Sequence, residues 1–258
     1  MTAAAQKIAE VGGLPVHYRE AGAGKTIVFL HGAGGAPPEG ASFVPMLAER
    51  HRLLIPSRPG FDDTPLGACA SVADVANVMA GFVRQVAGGT AHVVAQSAGG
   101  AIGCWLAILH PDLVETLVLS APAAFAPHRR PPPPAELAQI LYGDHPAWSQ
   151  PPSEAERQRI ARNAQANMAR FPVAEDNPEL LARLKDISAP TLLVVATHDR
   201  LLPEEAMLPY QAQIPSCTRI MLHGAAHEMP IAAAEPWVRL VSAFVDRGEM
   251  FVVNMGDE

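Results

Sequence analysis

Ser97, Asp199 and His227 are the residues of this sequence whose types and order could perform nucleophilic chemistry. A serine hydroxyl is a weak nucleophile until a base takes its proton, and the base needs an acid to hold it in one tautomer. Ser97 stands in the run His92-Val93-Val94-Ala95-Gln96-Ser97-Ala98-Gly99-Gly100, where a short apolar stretch breaks into small residues and a helical pattern opens. A sharp strand-to-helix turn needs small residues on both sides, because it strains its central residue and lifts that hydroxyl clear of the sheet. Ala95 occupies the first small position of the G-x-S-x-G form and meets the steric need nearly as well as glycine. A serine that N-caps an ordinary helix is the competing reading of the same run.

The base and the acid are expected downstream, each at the C-terminal end of a strand, where parallel sheets bind their ligands. Residues 191–196 form an apolar strand pattern and run directly into Thr197-His198-Asp199-Arg200, so Asp199 falls at that edge. Residues 218–222 read as a further strand and lead into His223-Gly224-Ala225-Ala226-His227-Glu228, which offers His223 and His227 as bases.

These residues need a sheet to position them, and the chain supplies one. Two short strand patterns flank Gly12-Gly13-Leu14-Pro15, a hairpin signal. Residues 26–30 are a continuous apolar run, as for a strand buried on both faces. Strand patterns at 53–55, 92–95, 116–119 and 191–195 then alternate with helical patterns at 43–49, 71–86, 98–109 and 236–245. Such alternation predicts a mainly parallel sheet with right-handed crossovers. Residues 122–189 interrupt it with the proline run Pro131–Pro134, a second pair at Pro151-Pro152, and polar helical stretches at 153–170 and 178–185. Four consecutive prolines cannot lie inside a helix or a central strand. The expected organisation is therefore an α/β core made of residues 1–121 and 190–258, with residues 122–189 inserted as a small helical cap.

Composition narrows the function. The 258 residues are 49% hydrophobic, which is enough for one large α/β domain. The net charge is −7 and no basic block exceeds Arg129-Arg130, which argues against a nucleic-acid partner. No segment approaches the ~20 apolar residues of a membrane span. Residues 1–10 lack the apolar region of a secretory signal, so the expectation is a cytoplasmic protein. Cys69, Cys104 and Cys217 are odd in number and widely spaced, as for reduced thiols rather than disulfides or a zinc site. Gly24-Lys25-Thr26 imitates the end of a phosphate loop, but Arg19 stands where its first glycine belongs and a strand follows. The expected ligand is a small-molecule substrate, with no metal or organic cofactor, and a homodimer is left open.

The order Ser, Asp, His, together with two further motifs, resembles the α/β-hydrolase superfamily over nearly the whole chain. His31-Gly32-Ala33-Gly34-Gly35 follows the strand at 26–30 and is similar to the family's HG-type oxyanion loop. Ser57-Arg58-Pro59-Gly60-Phe61-Asp62-Asp63-Thr64 resembles its D-x-P-G-x-G-x-S loop, departing at Ser57 for Asp and at Asp62 for Gly. That loop usually shapes the site rather than doing chemistry.

The resemblance implies an α/β-hydrolase fold with a mostly parallel eight-stranded sheet flanked by helices. It selects His227 over His223, since the base follows a few small residues. It makes the backbone N–H groups of Ala33 and Ala98 the oxyanion donors. Some members carry the acid after the sixth strand, but Leu119-Ser120-Ala121-Pro122 offers no carboxylate there, so Asp199 stands. The implied activity is a serine hydrolase acting on an ester or lactone through an acyl-enzyme. A C–C bond hydrolase of diketone-type ring-cleavage products, a perhydrolase, a hydroxynitrile lyase and an amide hydrolase are the alternatives, and a small-molecule receptor on the same fold is the non-enzymatic one. Pocket-lining candidates are His31, Gly32 and Gln96 beside the motifs, Phe125, Leu137, Leu141, Trp148 and Met168 from the insertion, and Met46 and Met207 from the core.

Overall fold

The computed structural model describes residues 4–125, 136–143, 153–171 and 177–253, so the proline run lies outside the described residues. Eight strands form one sheet in the order β1-β2-β4-β3-β5-β6-β7-β8. They are β1 (Ala5–Val11), β2 (Leu14–Ala21), β3 (Lys25–Leu30), β4 (His51–Pro56), β5 (Ala91–Gln96), β6 (Val114–Ser120), β7 (Thr191–Ala196) and β8 (Cys217–Leu222). The β1/β2 hairpin and the β2/β4 pair are antiparallel, and every later pair is parallel. Gly12 and Gly13 turn the hairpin with φ of 59° and 82°, the positive values that a primed two-residue turn requires.

Continuous apolar strands are sorted by the two-residue period of the sheet. Val28, Leu30, Val93 and Ala95 enter one core layer, while Ile27, Phe29 and Val94 enter the other. Helices α1 (Phe43–Ala48), α2 (Val72–Phe82) and α3 (Ala98–Leu109) follow the first strands, and α4 (Leu137–Tyr142), α5 (Glu154–Arg170) and α6 (Pro178–Arg183) fall between β6 and β7. Helices α7 (Leu208–Gln213), α8 (Met229–Ala232) and α9 (Ala234–Arg247) complete the chain. Residues of α2, α3, α6 and α7 build the first layer, and residues of α1, α8 and α9 the second. Trp237 of α9 donates its indole N–H to the Ser120 hydroxyl at 3.0 Å, which ties that helix to the end of β6.

The strand order reverses at β3, whose neighbours β4 and β5 lie on opposite sides. In open α/β sheets the crevice outside the strand ends at such a switch point is where ligands bind. The loops after β3 and β5 meet there, and these are the glycine loop and the Ser97 turn. No helix among the described residues is long and apolar enough to cross a membrane.

The insertion departs from the usual way helices are held. Asn167 is the one fully buried residue of the 17-residue α5, so this helix has almost no apolar face to dock. Polar contacts to the core fasten it instead. Arg159 reaches Asp62 Oδ1 at 2.7 Å and the Ala36 carbonyl at 2.9 Å, and Asn163 reaches Asp62 Oδ1 at 3.0 Å and the Gly34 carbonyl at 3.1 Å. Arg170 adds a bond to the Gly60 carbonyl at 3.0 Å.

Candidate active site

Ser97 sits between β5 and α3 with φ 51° and ψ −121°, a backbone conformation that a non-glycine residue adopts only when its surroundings impose it. Those surroundings are backbone and small residues. The Ser97 N–H donates to the Ser120 carbonyl at 3.0 Å, and its own carbonyl accepts from Gly100 and Ala123 at 2.8 and 2.9 Å. A Cβ on Gly99 would lie 2.2 Å from the Leu30 carbonyl oxygen, and one on Gly100 would lie 2.4 Å from Pro122 Cβ. The small residues of the turn are thus required by α3 pressing against β3 and the chain after β6. Helix N-capping does not account for the serine, because its side chain makes no cap bond.

The Ser97 hydroxyl donates to His227 Nε2 at 2.9 Å, and His227 Nδ1–H donates to Asp199 Oδ2 at 2.8 Å. Asp199 keeps its other oxygen busy with the Leu201 and Leu202 amides at 2.8 and 2.9 Å. Burial alone would raise this carboxyl, but the charge and hydrogen bond of His227 and the two amides hold it below its ordinary value. An ionised Asp199 fixes the proton on Nδ1 and leaves Nε2 free to accept. The His227 and Asp199 side chains are 1% and 5% exposed, so their link is shielded from water. His223 is exposed and stands outside this chain of bonds.

The glycine loop passes directly over the serine. A Cβ on Gly32 would come within 3.2 Å of Ser97 Cβ, and the Gly35 N–H closes a turn onto the Gly32 carbonyl at 3.3 Å, with Ala33 inside it. Ala98 is the first residue of α3, so its N–H has no acceptor within the helix. The arrangement can deprotonate the Ser97 hydroxyl through His227.

Other candidate residues scatter in role. Gln96 is buried and donates from Nε2 to the His227 carbonyl at 3.0 Å, a bond to the base's own backbone. His31 is buried and faces Arg58 and the Gly32 carbonyl rather than Ser97 or His227. Phe125 packs edge-on against Tyr210 with ring centroids 5.1 Å apart, and Met207 lies in the same core layer. Met46 packs against the opposite core layer. Met168 is 46% exposed on α5. Leu141 is half-buried, and its carbonyl accepts from the Glu228 N–H at 2.7 Å, joining α4 to the His227 loop. Trp148 and the side chain of Leu137 lie outside the described residues. The sequence assigns no role to Arg58, Arg159, Asn163 or Asn167 and marks Ser57 and Asp62 only as motif departures. Among the described residues no group of three or more His, Cys, Asp or Glu could hold a metal ion.

The model of the alpha/beta hydrolase family matches residues 27–243, which takes in every loop just described. The chain belongs to the alpha/beta hydrolase family. This alpha/beta hydrolase is 26% identical to a 2-hydroxy-6-oxononadienedioate/2-hydroxy-6-oxononatrienedioate hydrolase of Pseudomonas putida, over 90% of the chain and 92% of the relative. It is 25% identical to a pimeloyl-[acyl-carrier protein] methyl ester esterase of Aeromonas hydrophila, over 87% of the chain and 96% of the relative. A solved serine hydrolase involved in carbazole degradation superposes with a TM-score of 0.76 at 22% identity, covering 95% of this chain and 99% of that one. The protein is an enzyme, and a hydrolase.

Proposed function

We propose that this alpha/beta hydrolase cleaves an ester or lactone of a small organic substrate through an acyl-enzyme on Ser97. His227 takes the serine proton as the oxygen attacks the carbonyl carbon, and Asp199 orients the ring and stabilises its charged form. The Ala33 and Ala98 N–H groups stabilise the oxyanion, a contribution of roughly 3 kcal/mol per donor in such sites. The alcohol leaves with the proton from His227, and water activated by the same ring releases the acid. The observation that carries this reading is the unbroken hydrogen-bond chain of 2.9 and 2.8 Å running from a serine at positive φ. Residues 122–189 act as the cap: they follow the C-terminal end of β6, the same sheet edge on which Ser97 follows β5.

A second reading is hydrolysis of a C–C bond next to a ketone in a dienoate. It is supported by relatives named for that reaction, which are 24–27% identical over most of the chain. A fluorophosphonate probe tests the nucleophile: wild type labels and Ser97→Ala does not. A panel of p-nitrophenyl esters, lactones and a 2-hydroxy-6-oxodienoate then separates the two readings. Turnover of the dienoate alone rejects the ester assignment and keeps the serine, while labelling of Ser97→Ala rejects the mechanism.

A further inference from the structure

Arg58 is 1% exposed, yet no carboxylate lies within ion-pair distance of it among the described residues. The Asp62 carboxylate of the same loop is taken by Arg159 and Asn163. A buried guanidinium without a counter-ion is costly, and burial brings it down to about 9, so it stays charged at neutral pH. Its cation–π contact with Phe61, 4.3 Å to the ring centroid, covers one face only.

The hydrogen bonds available to Arg58 do not use its donors up. The Arg58 backbone N–H meets His31 Nε2 at 3.1 Å, and the Gly32 carbonyl lies 2.8 Å from His31 Nδ1. Burial and the charge of Arg58 hold the His31 ring neutral, so it has a single acceptor nitrogen. With the proton on Nδ1 serving Gly32, the Arg58 Nε–H at 3.3 Å from that nitrogen faces a donor. Nη2 donates to the Gly32 carbonyl at 2.9 Å, and Nη1 has no partner among the described residues.

Arg58 borders a cavity of about 50 Å³ lined also by Ala98, Ala101 and Ile102 at the start of α3, and by Asn167. Space of that size holds a few waters or one small polar group. The N-terminus of the 12-residue α3 adds its partial positive charge. Asn167 contributes an amide from the one buried position of an otherwise polar helix. Among the described residues no acidic side chain lines the cavity.

We infer that this cavity is a carboxylate subsite, in which Arg58 and Asn167 hold the free acid group of a substrate whose scissile carbonyl lies at Ser97. The inference rests on Ser97 as the nucleophile and adds the substrate class: monoesters, or other acyl compounds, that carry a second, ionised carboxyl a few bonds from the reacting carbon. The Ala98 wall is shared with the nucleophile's turn, which sets that short spacing.

The test compares the 4-nitrophenyl monoesters of succinic and glutaric acid with their neutral methyl diesters. Wild type is expected to favour at least one charged monoester by about tenfold or more in kcat/KM, the scale of a charge-assisted hydrogen bond. Asn167→Asp puts a carboxylate into the cavity and is expected to reverse that ratio, and Asn167→Leu to reduce it. A ratio near one in wild type, or one that Asn167→Asp leaves unmoved, overturns the inference. Because a ratio is read, general loss of activity does not imitate the result. Calorimetry of succinate and glutarate with Ser97→Ala separates the two readings. One site that Asn167→Asp abolishes supports the subsite even if fluorophosphonate fails to label Ser97, whereas labelling without any carboxylate binding leaves the nucleophile and rejects the subsite.

Discussion

Asp62 Oδ1 lies 2.7 Å from Arg159 Nη1, so a loop of the core grips a helix of the insertion 97 residues further along the chain. Asp62 stands where the family loop has glycine, and it keeps the positive φ of that glycine at 48°. Ser57, the other departure, turns its hydroxyl toward the second Asp62 oxygen at 3.5 Å. The two departures are therefore one device that fastens α5 above the glycine loop.

Asp62→Gly should leave the core intact, since glycine suits that backbone, while loosening α5 by about 1 kcal/mol, the scale of a partly exposed ion pair. Hydrogen exchange should quicken in residues 154–170 and not in β5 or β6, and KM should rise more than kcat falls. Unchanged exchange in α5 would mean the other contacts suffice.

Ser97→Ala and His227→Ala should each lower kcat by about 10⁴-fold or more, and combining them should cost little extra, because the pair acts as a unit. Single-turnover kinetics on the preferred ester checks this. Additive losses would separate the two residues into independent roles.

Asp199→Asn should reduce kcat by about 10⁴-fold with KM nearly unchanged, as the ring adopts the wrong tautomer. The same residue predicts a stability effect. Its carboxyl titrates below its ordinary 3.8 in the folded chain, so it stabilises the fold at higher pH, and that contribution is lost as pH falls from 3.8 through the folded value. Denaturation midpoints measured from pH 7 downward should fall more steeply in this window for wild type than for Asp199→Asn.

Gln96→Leu should slow kcat by about tenfold without a matching loss of stability. The bond to the His227 carbonyl disappears, yet so does the buried Gln96 Oε1, which has no partner among the described residues, and each is worth about 1 kcal/mol in opposite directions. A thermal midpoint that drops sharply in Gln96→Leu would assign the residue to folding rather than to holding the base.

How much of this was legible in the sequence depends on whether the signal is local. The Ser97 turn and the apolar strands are written in neighbouring residues, so they are legible, and the structure brings Asp199 and His227 to Ser97 through hydrogen bonds. The glycine loop after β3 is legible through its glycines, and Gly32 lies close enough to Ser97 to need one. Cavity and insertion contacts were not legible, because they depend on which side chains meet across the fold. Met168 was attractive as an adaptable side chain, yet it points to solvent from a helix whose buried position is an asparagine. Arg129 and Arg130 drew notice as a visible basic pair, while Arg58, hidden in a loop motif, gave no sign of its burial or of its missing counter-ion.

Ser120 of β6 pairs in register with Val194 of β7, so nearly seventy residues leave and rejoin the sheet without disturbing a single rung of its ladder. Within that excursion α6 packs into the core layer against the sheet, and α5 does not. Ser97, Asp199 and His227 lie in loops that follow strand ends, and α5 is fastened mainly by a handful of polar contacts to core loops. The stretch that carries α5 can therefore diverge or shrink at little cost to folding, whereas α6, whose Leu180 is buried in the core layer, cannot.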